Sequence, residues 1–200
     1  MSTTARAGEP DNMMPTLPSG LPEPVDDGAC SHLTGLTLPR ISLPTTNTSA
    51  VQVDLSALDG LTIVFCYPRS AAAGESVPPD WDAIPGARGC TPQACSFRDN
   101  AGALYASGVK FLFGLSTQGC ETQREFHDRT HLPYDLLSDE RLQFAEALKL
   151  PLFEWKGQTL IKRLTLAISK GKIIKFWYPV FPPDQNVFAV LEWLKGEVEK

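Results

Sequence analysis

The sequence predicts an α/β domain, a central mixed sheet with helices on both faces. Three observations carry that prediction. The apolar runs LTIVFCY at 61–67 and VKFLFGLS at 109–116 read as strands covered on both sides. Helical spacing of apolar residues recurs between and after them, at 91–107 and 140–149, with a polar helix at 121–129. Finally, LIKRLTLAIS and KIIKFWYPV flank the turn dipeptide Lys170-Gly171 as a hairpin, and a last helix follows. Strands alternating with helices form a sheet that helices cover on both faces.

Each element has its own warrant. Thr91 followed by Pro92 reads as an N-cap with Pro at the first helical position, and Gly108 ends that helix. Ala94, Phe97, Ala101 and Leu104 form its apolar stripe. YDLLSD at 134–139 reads as a short strand ending in a cap for the helix 140–149. Asp184 is expected to cap the last helix, where Val187, Val190, Leu191, Leu194 and Val198 share helical spacing. The order βαβ…ββα resembles the thioredoxin fold, a likeness of topology that does not by itself give function.

The chain of 200 residues suits one domain with a tail. Residues 1–30 are rich in Pro, Gly, Ser and Asp and poor in large apolar side chains, so a flexible or wrapping tail is expected there. Residues 31–200 are expected to form the domain. The segment 69–89 is a second irregular stretch, longer than an ordinary connection.

Composition narrows the function classes. A net charge of −5 without a basic stripe gives no footprint for nucleic acid, and no polybasic cluster invites an anionic membrane. No apolar run approaches the roughly 20 residues of a membrane helix. The first residues lack the apolar stretch of a secretory signal, so a cytoplasmic location is expected. Five scattered cysteines argue for reactive or buried thiols rather than a secreted disulfide framework.

The segment GARGCTPQACSFRD at 86–99 carries the chemistry. Cys90 and Cys95 lack the paired Cys/His spacing of a zinc site, and His127 and His131 read as solvated residues of a helix end, so no metal is expected. Inert core cysteines are a second reading, because cysteine is often buried. The apolar stripe centres roughly 140° around the helix from Cys95, which places that side chain off the stripe. Cys90 is expected in the exposed first turn. A redox pair is the third reading: amide N–H groups at a helix start favour a thiolate, the nucleophilic form. Cα atoms five residues apart in a helix are roughly 8–9 Å apart, beyond the reach of a disulfide, so a bridge would require the first turn to unwind.

FCYPR, GCTPQACSFRDN, VKFLFGLST, LPYDLLSDERL and LIKRLTLAI, in this order, resemble the peroxiredoxins, nearest to the Q-type or bacterioferritin-comigratory-protein branch. The likeness runs from about residue 33 to 194. It implies a thiol peroxidase acting on hydrogen peroxide and organic hydroperoxides. By resemblance, Cys90 is the peroxidatic cysteine and Cys95 the resolving cysteine of an intramolecular disulfide. A thioredoxin-type dithiol is then the reductant, and no cofactor is needed. Arg163 matches the family's active-site arginine. By strand alternation it lies opposite Leu164, Leu166 and Ile168, and an Arg within an apolar strand either finds an anionic partner or reaches solvent from an edge.

One departure stands out. Ala83 and Ala87 occupy the positions where the family has Pro and Thr or Ser, and Tyr67-Pro68 looks like the family's Tyr-Pro displaced by an insertion over most of 69–89. Gly89, Thr91 and Pro68 are then the expected peroxide-binding residues, with Ser70 as another source of a hydroxyl. Trp81 and Ile84 are expected either to lid the site or to belong to a passive surface excursion. Cys66 reads as packing, Cys30 as incidental, and Cys120 as a rival thiol at a helix start. A monomer is expected, since no cysteine follows Cys120. The competing function is a non-enzymatic redox switch or peroxide sensor built on the same disulfide. A thioredoxin-like disulfide reductase is disfavoured because it uses C-x-x-C.

Overall fold

The structure, a computed structural model, describes residues 17–198. A small antiparallel pair, β1 (Ser42–Pro44) and β2 (Gln52–Asp54), precedes β3 (Leu61–Cys66). Three helices follow: α1 (Pro79–Asp82), α2 (Cys90–Asp99) and α3 (Ala101–Ala106). Next come β4 (Val109–Ser116), α4 (Cys120–Thr130), β5 (Leu136–Ser138) and α5 (Gln143–Ala147). The hairpin β6 (Leu152–Trp155) and β7 (Gln158–Ile161) leads to β8 (Leu164–Ser169) and β9 (Lys172–Trp177). A 3-10 turn, Pro183–Gln185, precedes α6 (Asn186–Val198).

The central sheet has the order β5-β4-β3-β8-β9. β3, β4 and β5 run parallel, while β8 and β9 add antiparallel, which is the mixed, thioredoxin-like sheet the sequence predicts. Strand alternation divides β3 between two cores. Ile63, Phe65 and Tyr67 face α2, α3 and α6, with Phe97, Leu104 and Val190. Val64 and Cys66 face the other side, with Leu33, Leu43, Leu55 and Phe144. Both faces are covered, which is why the strand reads as a continuous apolar run. Phe65 stacks on Phe97 at 4.5 Å and meets Tyr134 edge-on at 5.7 Å, fixing α2 on the sheet.

Register positions the site. Cys66, the end of β3, pairs with Leu164, the start of β8. Tyr67-Pro68 therefore leaves the sheet beside Lys162-Arg163 as it enters.

Several boundaries differ from the sequence expectation. The helix expected over 91–107 breaks at Asn100, whose side-chain amide donates to the Ser96 carbonyl at 2.9 Å and competes with the backbone ladder. Its N-cap is Gly89 rather than Thr91. The segment 160–169 is not one strand. Leu160 and Ile161 end β7, which pairs with β6, so Arg163 lies in the link between β7 and β8 rather than within a strand. Asp184 sits inside the 3-10 turn, and α6 begins at Asn186. The helix expected over 140–149 is shorter and its N-cap is Leu142, although the Asp139 carboxylate still accepts from the Phe144 and Ala145 amides at 3.0 and 2.8 Å.

The segment expected to be a flexible or wrapping tail is described in part. Residues 1–16 lie outside the described residues, but 17–30 pack on the domain. Asp27 accepts from Lys162 Nζ and Tyr178 Oη, both at 2.9 Å, and these partners hold its carboxyl down at about 2. Cys30 is buried in the same core as Leu33. Asp27 and Cys30 hold this segment to the domain, while Val25 stands exposed.

Candidate active site

The site is built where α2 starts. Gly89 holds φ at 104°, a left-handed conformation that favours glycine. A Cβ there would lie 2.7 Å from Leu17 Cδ2 and 2.8 Å from Pro183 Cγ, so conformation and crowding both require glycine. The turn delivers Cys90 to the first residue of the helix, where amide N–H groups have no intrahelical partner. Cys90 is buried rather than exposed as expected, yet it lines a cavity of about 140 Å³. Arg88 and Thr91 flank it there, and Arg69, Val77 and Trp81 form the opposite wall.

Arg163 lies beneath the thiol and is 3% exposed. Its Nη2 donates to Cys90 Sγ at 3.2 Å and to the Ala87 and Arg88 carbonyls at 2.9 and 3.3 Å. Its Nε donates to the Gly86 carbonyl at 3.2 Å, and Nη1 donates to Gln93 Oε1. The protein partners of this buried cation are neutral carbonyls, an amide and a thiol. Among these partners the Cys90 sulfur is the nucleophilic atom.

The remaining predicted residues divide between two cavities. Gly89 and Thr91 line the Cys90 mouth. Pro68 instead lines a neighbouring chamber of about 360 Å³ with Ala87, Ile84, Phe153 and Tyr178, on the far side of Arg163. Ser70 is committed elsewhere: its amide and hydroxyl both donate to Gln118 Oε1, at 2.7 and 3.1 Å. Thr91 is thus the hydroxyl at the mouth, beside the unpaired first-turn amides of α2.

The segment 69–89 is a wall of the site. Trp81 is buried, packs edge-on against Trp155 at 4.8 Å and lies 6.1 Å from Phe153. The Arg69 guanidinium lies 5.7 Å from the Trp81 ring and 5.1 Å from Trp155, and pairs with both oxygens of Glu75 at 2.7 and 2.8 Å. The β6–β7 hairpin is the platform for this wall. The sequence reading missed it, although Lys156-Gly157 is the same kind of turn dipeptide as Lys170-Gly171, with both residues at positive φ.

Cys95 lies off the main apolar cluster, as its helical angle predicts, but it is buried all the same, and burial raises its thiol pKa. The neighbouring Arg98 donates to the Thr130 carbonyl at 2.9 Å, and Tyr134 Oη donates to the Ala94 carbonyl at 2.7 Å. The end of α4 and the segment after it thus cover this side of α2. All five cysteines are free, and α2 is intact between Cys90 and Cys95. Cys30 and Cys66 lie across the sheet from Cys90. Burial pushes the Cys30 thiol up to about 12 and raises Cys66 further. Cys120 starts α4 but opens onto another cleft, with Pro44, Gln52 and Asp139.

His127 pairs with Asp128 at 2.8 Å, and His131 ends α4 at φ 51°. Among the described residues no group of three or more His, Cys, Asp or Glu side chains is placed to hold a metal. No described helix is long and apolar enough to cross a membrane.

Comparison with known proteins adds to this geometry. The Redoxin family matches residues 33–191. The chain is 30% identical over 161 residues to Peroxiredoxin Bcp of Escherichia coli (strain K12), covering 78% of this chain and 92% of that protein. It is 32% identical over 115 residues to Peroxiredoxin bcp1 of Schizosaccharomyces pombe, covering 57% of this chain and half of that longer protein. Among solved structures, peroxidoxin BcpB of Mycobacterium tuberculosis superposes with a TM-score of 0.65 at 27% identity, over 82% of this chain and 98% of that one.

Proposed function

The chain belongs to the Redoxin family, in the Q-type, bacterioferritin-comigratory branch of the peroxiredoxins, and we propose that Cys90 is the thiol through which it reduces peroxides. Peroxiredoxins are thiol peroxidases, so the question is which atoms act. The observation that carries the assignment is the Arg163 Nη2 bond to Cys90 Sγ at 3.2 Å, at a helix start that lines an open cavity.

The Cys90 thiolate attacks one oxygen of the peroxide O–O bond. That bond breaks, the leaving oxygen departs as water or an alcohol after taking a proton, and the sulfur becomes a sulfenic acid. Arg163, donating from Nη2, and the first-turn amides stabilise the charge that moves from sulfur to the leaving oxygen. Thr91 is the hydroxyl placed to orient the peroxide, and Gly89 lets the backbone approach. Pro68, on the far side of Arg163, shapes the support of this floor. Hydrogen peroxide and organic hydroperoxides are the substrates.

Cys95 then attacks the sulfenic acid. A sulfur–sulfur bond forms and water leaves. The intact helix holds the two Cα atoms roughly 8–9 Å apart, so this step requires α2 to unwind. A thioredoxin-type dithiol reduces the disulfide by exchange. Both cysteines stand on one helix, which supports turnover by a monomer. Free thiols suit a reducing compartment such as the cytoplasm. The catalytic domain is residues 31–200, consistent with a Redoxin match beginning at 33, and the segment 1–30 precedes it.

The test is NADPH consumption with thioredoxin, thioredoxin reductase and hydrogen peroxide. Sustained turnover that disappears in Cys90→Ser is expected. Stoichiometric oxidation without turnover would replace this reading with a redox switch.

A further inference from the structure

A chain of buried polar groups runs from Arg163 to the start of the last helix. Arg163 Nη1 donates to Gln93 Oε1. The other end of the same amide, Gln93 Nε2, donates to Asn186 Oδ1 at 3.1 Å, and Thr165 Oγ1 donates to that oxygen at 2.6 Å. Gln93 and Thr165 are fully buried, and Arg163 and Asn186 are at most 5% exposed. Three separate elements contribute: Gln93 from α2, Thr165 from β8, and Asn186 from the first residue of α6.

The polarity of the chain is dictated by chemistry. A guanidinium has donors only, so Gln93 must turn its oxygen to Arg163 and its NH2 group away. The NH2 group then needs an acceptor in a site without solvent. Asn186 Oδ1 is that acceptor, and its second lone pair is filled by Thr165. A carboxamide is planar, so fixing one end fixes the other. Without Asn186, the Gln93 NH2 group is buried with its acceptor lost, and the amide that meets Arg163 is no longer held at its far end.

From this we infer that Asn186 is a positioning residue for the peroxidatic step: it fixes the Gln93 amide, which in turn aims Arg163 Nη2 at the Cys90 sulfur. The inference rests on Cys90 as the attacking thiol. Asn186 touches neither sulfur nor substrate, so its effect passes through Gln93. Small misplacements of an aligned donor are costly to rate.

The experiment follows the first oxidation of Cys90 by hydrogen peroxide in rapid-quench single turnovers of the full chain, read by mass spectrometry. Cys90→Ser must abolish the signal; if oxidation proceeds without Cys90, the underlying reading fails, and the inference with it. Asn186→Leu keeps side-chain shape and removes the acceptor. It is expected to slow the step by about five- to fiftyfold. Asn186→Asp keeps an acceptor oxygen in place and is expected to recover most of that loss. Gln93→Met removes the link, and adding Asn186→Leu to it is expected to cause little further loss, because both changes break the same chain.

Unchanged rates in Asn186→Leu would overturn the inference. So would losses that multiply in the double variant, or a loss in Asn186→Leu that Asn186→Asp does not recover. Thermal unfolding of each variant identifies any that fail to fold. Should Asn186→Leu not fold, Asn186→Ala, which removes the same acceptor, carries the same comparison with Gln93→Met.

Discussion

Arg163 Nη2 bonds to the Cys90 sulfur at 3.2 Å and to the Ala87 carbonyl at 2.9 Å, so one nitrogen joins the thiol to the turn that presents it. The guanidinium fork reaches Gly86, Ala87, Arg88, Cys90 and Gln93 together. A lysine has one point of charge and cannot span that set. Arg163→Lys is expected to slow the reaction of Cys90 with hydrogen peroxide by about a hundredfold, measured in single turnovers. A loss below threefold would remove Arg163 from the step.

Gly89 is the hinge that lets the thiol sit there. Gly89→Ala forces a side chain into φ 104° and against Leu17 and Pro183. The expected cost is about 1–3 kcal/mol of stability, read as a lower urea midpoint, with a larger loss in activity than in folded fraction.

Oxidation should open α2. Three contacts hold its first turns: Ser96 Oγ donates to the Asp184 carbonyl at 2.6 Å, Gln93 donates to Asn186, and Tyr134 donates to the Ala94 carbonyl. Amides of residues 91–98 are expected to exchange hydrogen faster in the disulfide form than in the dithiol form. Identical exchange in the two forms would mean that no unwinding accompanies oxidation.

Cys30 makes stability depend on pH at the alkaline end. Its pKa is raised by burial to about 12 in the folded chain, above the value of about 8.5 for a free thiol. A raised folded value means the stabilisation is complete below the unfolded pKa and is lost as pH rises through the folded one. Between about pH 9 and 12 the reduced protein should lose stability through this group as pH rises. Denaturant titrations should show a shallower decline for Cys30→Ala.

Trp81 bears the wall of the mouth. Trp81→Ala empties its contacts with Phe153 and Trp155 and removes the ring beside Arg69. About 3 kcal/mol of stability should go with it. The turnover ratio of a bulky aryl hydroperoxide to hydrogen peroxide should change as the cavity widens. An unchanged ratio would make the segment a passive excursion.

What the sequence revealed follows the range of the interactions. β3 and β4 were legible because burial on both faces writes itself into consecutive residues. The Lys170-Gly171 hairpin was legible because positive φ at both residues selects a turn type. The signal at Lys156-Gly157 marks the β6–β7 hairpin in the same way. Arg163 was singled out through resemblance, while its carbonyl cradle was not, because that cradle comes from residues about 75 positions earlier. The helical angle places Cys95 off the apolar stripe, and the structure leaves it outside that cluster. Its burial depends on chain after α4, which a helical wheel does not contain. Gln93 and Asn186 carried no local signal, since their meaning is a contact across 93 positions.

The central claim is that Cys90 is the attacking thiol. It is tested most directly by giving Cys95→Ser protein one equivalent of hydrogen peroxide, trapping sulfenic acid with dimedone, and locating the adduct by peptide mass spectrometry. The account predicts a single adduct on Cys90. An adduct on Cys120 or any other cysteine, with Cys90 unmodified, would contradict it.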